Sequence, residues 1–272
     1  MKFSNLASRS LVAFSLGPLV LAAAYFGDLW FVALVSLIAV MSYWEFSEMA
    51  LKKDAISTRG WGIPALLFFI LNVKFQWISE IESIYVVILV IMFRELFKNK
   101  GSAIINLGAS VTGIFYIGVC ASSLIMIREF PSFPVDKAGI FIVSYIVSIW
   151  LSDTSAYFGG LTFGKHRLME RVSPKKSWEG FYFGLAGAIA SFFLFRYLFL
   201  DFLSVYDALA LGLIVGIVGP LGDLVESLIK RDAGTKDSSN ILAGHGGFFD
   251  RFDSVIASAP VIYIYVKQFI SF

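Results

Sequence analysis

Apolar runs of membrane-crossing length alternate with short polar connectors along this 272-residue chain. A helix needs roughly 17 to 25 predominantly apolar residues to cross a bilayer. Nine such segments are predicted, at about 11–27, 29–46, 61–78, 83–97, 104–127, 138–160, 180–200, 207–228 and 253–271, the third, fourth and ninth having the least sharp limits. The predicted fold class is therefore all-α, a polytopic integral membrane protein. The first segment has the length of a signal peptide, but no small-residue cleavage site with a polar mature chain follows it, so it is kept as a span.

Composition agrees: 58% of residues are hydrophobic, 15% are charged and the mean hydropathy is +0.78. A soluble globular domain is less apolar than this. The net charge of +2 and the absence of a basic-aromatic repeat argue against a nucleic-acid partner. The single cysteine, Cys120, cannot form an intrachain disulfide and says nothing about redox compartment. Lys and Arg in short loops favour the cytoplasm. Under a nine-span topology, 17 of the 22 basic residues fall on the side of the N-terminus, in the first residues and in loops 45–60, 94–103, 161–179 and 229–252. The N-terminus and the two chemically rich loops, 161–179 and 229–252, are thus predicted to be cytoplasmic and the C-terminus to lie outside.

The chemistry is concentrated in the second half. Residues 1–137 are expected to form an N-terminal transmembrane scaffold and residues 138–272 a C-terminal transmembrane catalytic region. In the scaffold, Glu45 and Glu48 lie three apart beside Lys52 and Lys53, which suggests an ion-paired interfacial face in preference to a cation site. Gly212 and Gly216 form a GxxxG step, and Gly184 and Gly187 a looser small-residue stripe, both suited to close helix packing in lipid.

Three polar blocks interrupt the apolar pattern of the second half. In Trp150-Leu-Ser-Asp-Thr-Ser-Ala-Tyr-Phe-Gly-Gly160, Asp153 and Tyr157 share a helical face among Ser152, Thr154 and Ser155, which favours a polar pocket over a carboxylate snorkelling to water. In Ser173-Pro-Lys-Lys-Ser-Trp-Glu-Gly180, Lys175 and Lys176 are either a topology anchor against anionic headgroups or a phosphate-binding turn. The third block begins at Gly219-Pro220, expected to break or kink its helix. If helix resumes, Asp223, Glu226, Ser227 and Lys230 fall at i, i+3, i+4 and i+7 on one face. Beyond them come Arg231, Lys236, Asp237 and Gly244-His-Gly-Gly-Phe-Phe-Asp-Arg-Phe-Asp253. Carboxylates suited to a hard cation, cations suited to phosphate and glycines that let backbone approach a ligand make a toolkit for nucleotidyl or phosphoryl transfer. Asp223 and Asp250 are the candidate pair for a shared metal. His245, flanked by glycines, suits a phosphate or base edge better than Mg²⁺, which prefers oxygen. No Ser-His-Asp triad is supported, and His166 receives no role.

The run from Ser227 to Asp253 resembles the signature of phosphatidate cytidylyltransferases, also called CDP-diacylglycerol synthases: S-x-hydrophobic-K-R, then K-D, then H-G-G-x-x-D-R-x-D. The Ser173 to Gly180 and Asp153 to Gly160 segments also look like blocks of that family, so the strong resemblance covers roughly 145–256. One departure is Ala243, where the family usually has Pro or Gly; it bears on loop rigidity and removes no charged group. The resemblance implies that CTP and phosphatidic acid give CDP-diacylglycerol and pyrophosphate at the cytoplasmic face of the cell (inner) membrane. It also implies Mg²⁺ on Asp223 and Asp250, with room for a second cation, and a homodimer. Lys230, Arg231, Lys236 and Arg251 would bind the triphosphate, the leaving pyrophosphate or the lipid phosphate, and Lys230 and Lys236 with the two metal aspartates form the expected catalytic set. Lys175 and Lys176 would close the site, with Asp153, Asp237, His245 and Asp253 completing its polar shell. Two alternatives stay open on the residues: a related CTP-using enzyme acting on another lipid, and a transporter whose intramembrane acids carry ions.

Overall fold

A computed structural model describes residues 16–56, 59–239, 241 and 246–270. The chain is helical almost throughout, as α1 (Leu16–Phe26), α2 (Asp28–Leu51), α3 (Arg59–Phe75), α4 (Glu80–Leu96), α5 (Ala103–Gly113), a π-helical stretch (Ile114–Val119), α6 (Cys120–Arg128), α7 (Ala138–Phe163), α8 (Trp178–Leu198), α9 (Val205–Asp232) and α10 (Phe249–Phe269). Among the described residues, five helical stretches are long and apolar enough to cross a membrane: Asp28–Leu51, Ala103–Arg128, Ala138–Phe163, Trp178–Leu198 and Val205–Asp232. Leu16–Phe26 and Gly60–Phe75 are apolar but shorter. The protein is thus an all-α membrane protein with one small addition. Arg167–Met169 (β1) and Ser173–Ser177 (β2) pair antiparallel, pairing Arg167 with Ser177 and Met169 with Ser173, inside what the sequence presented only as a basic loop.

The chain divides into two compact units. The first comprises the residues up to Val20, Asp28–Ile125 and Ile229–Phe252. In it α2, α3, α5 and the π-helical stretch pack through Tyr43, Phe46, Leu66, Ile70, Ile114 and Ile117, all buried. A Cβ on Gly113 would meet the Phe46 ring at 2.7 Å, so this position has room only for hydrogen where α2 crosses. A capping box starts α4, with Ser79 and Glu82 satisfying each other's backbone N–H groups.

The second unit comprises Leu21–Gly27, Met126–Leu228 and Asp253–Phe272. Here α7 packs against α8 more extensively than any other pair of described elements, and small residues set the spacing. A Cβ at Gly184 would lie 3.1 Å from the Ser152 carbonyl, and one at Gly187 2.5 Å from Ser155 Oγ. The predicted GxxxG step makes the next contact: a Cβ at Gly212 would sit 2.6 Å from the Ile189 Cα, and one at Gly216 2.9 Å from the Leu185 Cα. Buried hydroxyls tie the layers, with Ser148 donating to Ser191 at 2.8 Å and Tyr145 donating to the Val255 carbonyl at 2.8 Å. Helix α9 runs unbroken through Gly219 and Pro220, so the expected break does not occur. Neighbouring helices and local adjustment make such a proline tolerable in a membrane helix.

The close approach of α8 and α9 yields a direct prediction. Gly212→Val is expected to cost about 1–3 kcal/mol through overpacking, seen as a lower unfolding temperature in detergent, whereas Gly108→Ala, whose Cβ would meet nothing within 4 Å, leaves that temperature unchanged.

Candidate active site

Functional side chains gather in each unit. In the second unit, α7 ends on the face that carries Asp153, Ala156, Tyr157 and Gly160, and the β-hairpin and the start of α8 complete the walls of a cavity of about 760 Å³. Asp223 and Pro220 of α9 line it as well, as do Arg167, Lys175 and Lys176. This lies within the size range of small-ligand sites, ~300–1,000 Å³. Three cations and two acids in one cavity suit a polyanion and its counter-ion better than an apolar guest.

Local structure explains why the two adjacent lysines differ. On strand β2 neighbouring side chains point to opposite faces. Lys176 reaches Asp223, Nζ to Oδ2 2.6 Å, while Lys175 stays exposed at the cavity wall. The strand then stops at Ser177, whose extended backbone and hydroxyl cap α8 by accepting from the Gly180 N–H at 3.2 Å. Glu179 in the first turn of α8 accepts from the Lys165 and His166 N–H groups and from the His166 ring, fixing the base of the hairpin. Conformationally, the Ser-Pro-Lys-Lys-Ser-Trp-Glu-Gly block is therefore a strand and a helix cap that aim one lysine.

Below the cavity the helical spacing of α9 is realised. Asp223 and Glu226 face Asp253 of α10, and one oxygen of each lies within 4.8 Å of the others. Glu226 and Asp253 are buried, and Asp223 is about one-third exposed. A Cβ on Gly222 would collide with the Ala257 side chain, so glycine is what lets α9 and α10 approach closely enough for the three carboxylates to meet. Three like charges this close repel unless a cation or protons are shared among them. An all-oxygen donor set of this kind fits a hard divalent cation such as Mg²⁺.

In the first unit the second half of the signature is organised around Asp250. Its Oδ1 accepts from Lys230 Nζ at 2.5 Å, and its Oδ2 lies 2.8 Å from Ser238 Oγ and accepts from the Ser238 N–H at 2.9 Å and the Gly247 N–H at 2.8 Å. The pair is almost fully buried, with side-chain exposures of 10% for Lys230 and 7% for Asp250. Burial pushes the Asp250 carboxyl up, but the hydrogen bonds from Lys230, Gly247 and Ser238 outweigh it and hold the group at about 2. The carboxylate is therefore charged at neutral pH. Arg231, Lys236, Asp237 and Arg251 are exposed around this core. His245, with Gly244 and Ala243, lies outside the described residues.

The sequence reading missed several of these contributors. Glu226 was visible as one member of a helical stripe, but its meeting with Asp253 required tertiary structure. Arg167 appeared only as one charge in a basic loop until the hairpin placed it on the cavity wall. Glu45 is the largest correction. In place of an ion-paired interfacial side chain, it is a buried carboxylate, 1% exposed, accepting from the Ser238 and Ser239 hydroxyls and from the Phe248 and Phe249 N–H groups. The signal was present, since an acid within a membrane-length apolar segment is expensive unless it is bound.

These features define a polytopic α-helical membrane protein with an acid cluster beside a cation-lined cavity. The chain belongs to the cytidylyltransferase family, whose model matches residues 7–269. It is similar to phosphatidate cytidylyltransferase of Bacillus subtilis, 33% identical over 251 residues covering 89% of this chain and 91% of the relative. The phosphatidate cytidylyltransferase of Brucella abortus is 29% identical over 96% of this chain and 93% of its own length. That of Synechocystis is 35% identical over 65% of this chain and 67% of its own length.

The burial of the Lys230–Asp250 pair sets an expectation for stability. Lys230→Met strands a buried carboxylate and is expected to destabilise the protein by about 3–5 kcal/mol, while the double variant Lys230→Met/Asp250→Asn recovers much of that loss. Thermal unfolding of the three proteins in one detergent checks the order.

Proposed function

We propose that the chain catalyses transfer of the cytidylyl group from CTP to phosphatidic acid, giving CDP-diacylglycerol and pyrophosphate for phospholipid biosynthesis. The observation that carries this reading is the cavity of the second unit. Lys175, Lys176 and Arg167 offer charge for phosphate, and Asp223, Glu226 and Asp253 offer oxygens for a divalent cation beside them, in a chain of the cytidylyltransferase family.

The chemistry asks little proton transfer of the protein. The attacking atom is a phosphomonoester oxygen of the lipid, already ionised at neutral pH; it forms a bond to the α-phosphorus of CTP as the bond from that phosphorus to the β-phosphate oxygen breaks and pyrophosphate leaves. No strong general base is needed, and bringing two polyanions together is the principal barrier. Positioned cations lower it by neutralising the charge and aligning the reactants. Lys175, Lys176, Lys230, Arg231, Lys236 and Arg251 are assigned to the triphosphate, the leaving pyrophosphate and the lipid phosphate. Asp153, Asp237, His245 and Asp253 are assigned to the surrounding polar shell.

Mg²⁺ would supply charge neutralisation on the nucleotide phosphates: Asp223, with Glu226 and Asp253, offers oxygens for such an ion in the second unit, and Asp250 in the first unit is assigned to a cation by resemblance to the family. The excess of Lys and Arg in loops on one side supports a nine-span topology with the N-terminus and the site cytoplasmic in the cell (inner) membrane, where CTP is available. A homodimer is proposed by resemblance to the family. The transporter alternative explains buried acids but leaves the phosphate-compatible cations without a purpose.

Two outcomes are expected. Asp250→Asn abolishes release of pyrophosphate from CTP while the protein still inserts in the membrane and elutes as a folded species; near-normal turnover would remove Asp250 from the site. Chelation of divalent cations by EDTA stops wild-type turnover and added Mg²⁺ restores it; undiminished turnover after exhaustive chelation would remove the metal.

A further inference from the structure

The acceptor bonds on Glu45 connect the N-terminal half of the chain to the catalytic signature. Glu45 lies six residues before the end of α2, within the first unit, and its carboxylate is 1% exposed. Four donors converge on it, and all come from the signature segment. Oε1 accepts from the Ser239 hydroxyl at 2.6 Å and the Phe248 N–H at 3.0 Å. Oε2 accepts from the Phe249 N–H at 2.8 Å and lies 2.8 Å from Ser238 Oγ. Phe249 is the first residue of α10, so a negative side chain from a distant helix caps α10 at the end where its unpaired N–H groups and dipole favour an anion.

The groups that Glu45 holds are next to, or the same as, those that hold Asp250. Ser238 donates its N–H to Asp250 Oδ2, and Gly247, one residue before Phe248, donates its N–H. The Ser238 hydroxyl stands 2.8 Å from an oxygen of each acid. Gly247 has no room for a side chain, because a Cβ there would collide with both Glu45 oxygens and with Ser238 Oγ. Once Oδ2 is occupied in this way, Oδ1 is left to Lys230 at 2.5 Å.

We propose that Glu45 is a positioning residue for cytidylyl transfer: it fixes Ser238, Ser239 and the start of α10, and through them sets the orientation of the Lys230–Asp250 pair. Both Glu45 oxygens face donors, so the position calls for an acceptor at each. The inference rests on the cytidylyltransferase reading, in which Lys230 and Asp250 act on the substrates.

The test measures kcat and KM for CTP with phosphatidic acid, per folded protein recovered as a monodisperse species, for wild type, Glu45→Gln, Glu45→Asp and Ser239→Ala. Glu45→Gln keeps the shape but presents an N–H₂ to groups that are themselves donors, and its kcat is expected to fall roughly tenfold or more, the scale of a lost charge-assisted hydrogen bond. Glu45→Asp, which keeps the charge, recovers part of that loss. Ser239→Ala removes one donor of the four and lowers kcat about threefold, and it carries the test if neither Glu45 variant folds. A wild-type kcat per folded molecule in Glu45→Gln overturns the inference, even if less protein is recovered, because a purely structural role changes yield and not rate. An unchanged kcat in Ser239→Ala, with no folded Glu45 variant, overturns it as well. Absence of turnover by wild type itself refutes the cytidylyltransferase reading, a result distinct from either of these.

Discussion

A carboxylate sunk among apolar helices has to be met by hydrogen-bond donors or by a cation, and that requirement governs where the polar residues of this protein lie. Stripping water from an ion costs several kcal/mol even after the surroundings relax. The chain meets the requirement in different ways at different acids. Glu45 is surrounded by neutral donors, Asp250 by a lysine and neutral donors together, and Asp223 by Lys176 on one side with Glu226 and Asp253 on the other. The first arrangement is saturated and suits support. The last leaves several carboxylate oxygens facing one another and suits a bound cation.

The scaffold is arranged so that these meetings can occur. Glycines at helix crossings bring backbones close enough for short side chains to touch: Gly184, Gly187, Gly212 and Gly216 join α7, α8 and α9 within their unit, and Gly222 lets α10 approach beside the acid cluster. In lipid, where burying apolar surface gives helices little reason to associate, such close van der Waals contact and buried hydroxyl bonds supply much of the attraction. The same packing that stabilises the second unit therefore sets the spacing of its carboxylates.

Much of this was legible in the sequence, for identifiable reasons. Helical periodicity alone placed Asp223, Glu226 and Lys230 on one face of α9, and the small-residue pattern named the glycines that make the α8–α9 crossing. Charge embedded in apolar segments pointed to the second half as the chemical one, and the signature between Ser227 and Asp253 carried the family. What escaped depended on contacts between residues far apart in the chain. Glu45 and Ser238 are separated by 193 positions, and no local pattern marks them as partners. The hairpin escaped because its strands are short and charged, without the alternation of apolar and polar residues that announces a strand. At Gly219-Pro220 the sequence allowed a break or a kink, and the helix is not broken, since the rule that proline ends a helix is weaker where neighbouring helices enclose it.

The hydrogen bonds of Glu45 tie the first half of the chain to the signature segment. Through Glu45, α2 holds the segment that carries Asp250, the partner of Lys230, within the first unit. The most direct test of cytidylyl transfer is release of pyrophosphate from CTP by the purified protein in detergent, with phosphatidic acid and Mg²⁺ present together and each omitted in turn. Release is expected only when nucleotide, lipid and metal are all present, with CDP-diacylglycerol formed in equal amount. Release that is indifferent to the lipid, or none at all from protein verified as folded, would contradict it.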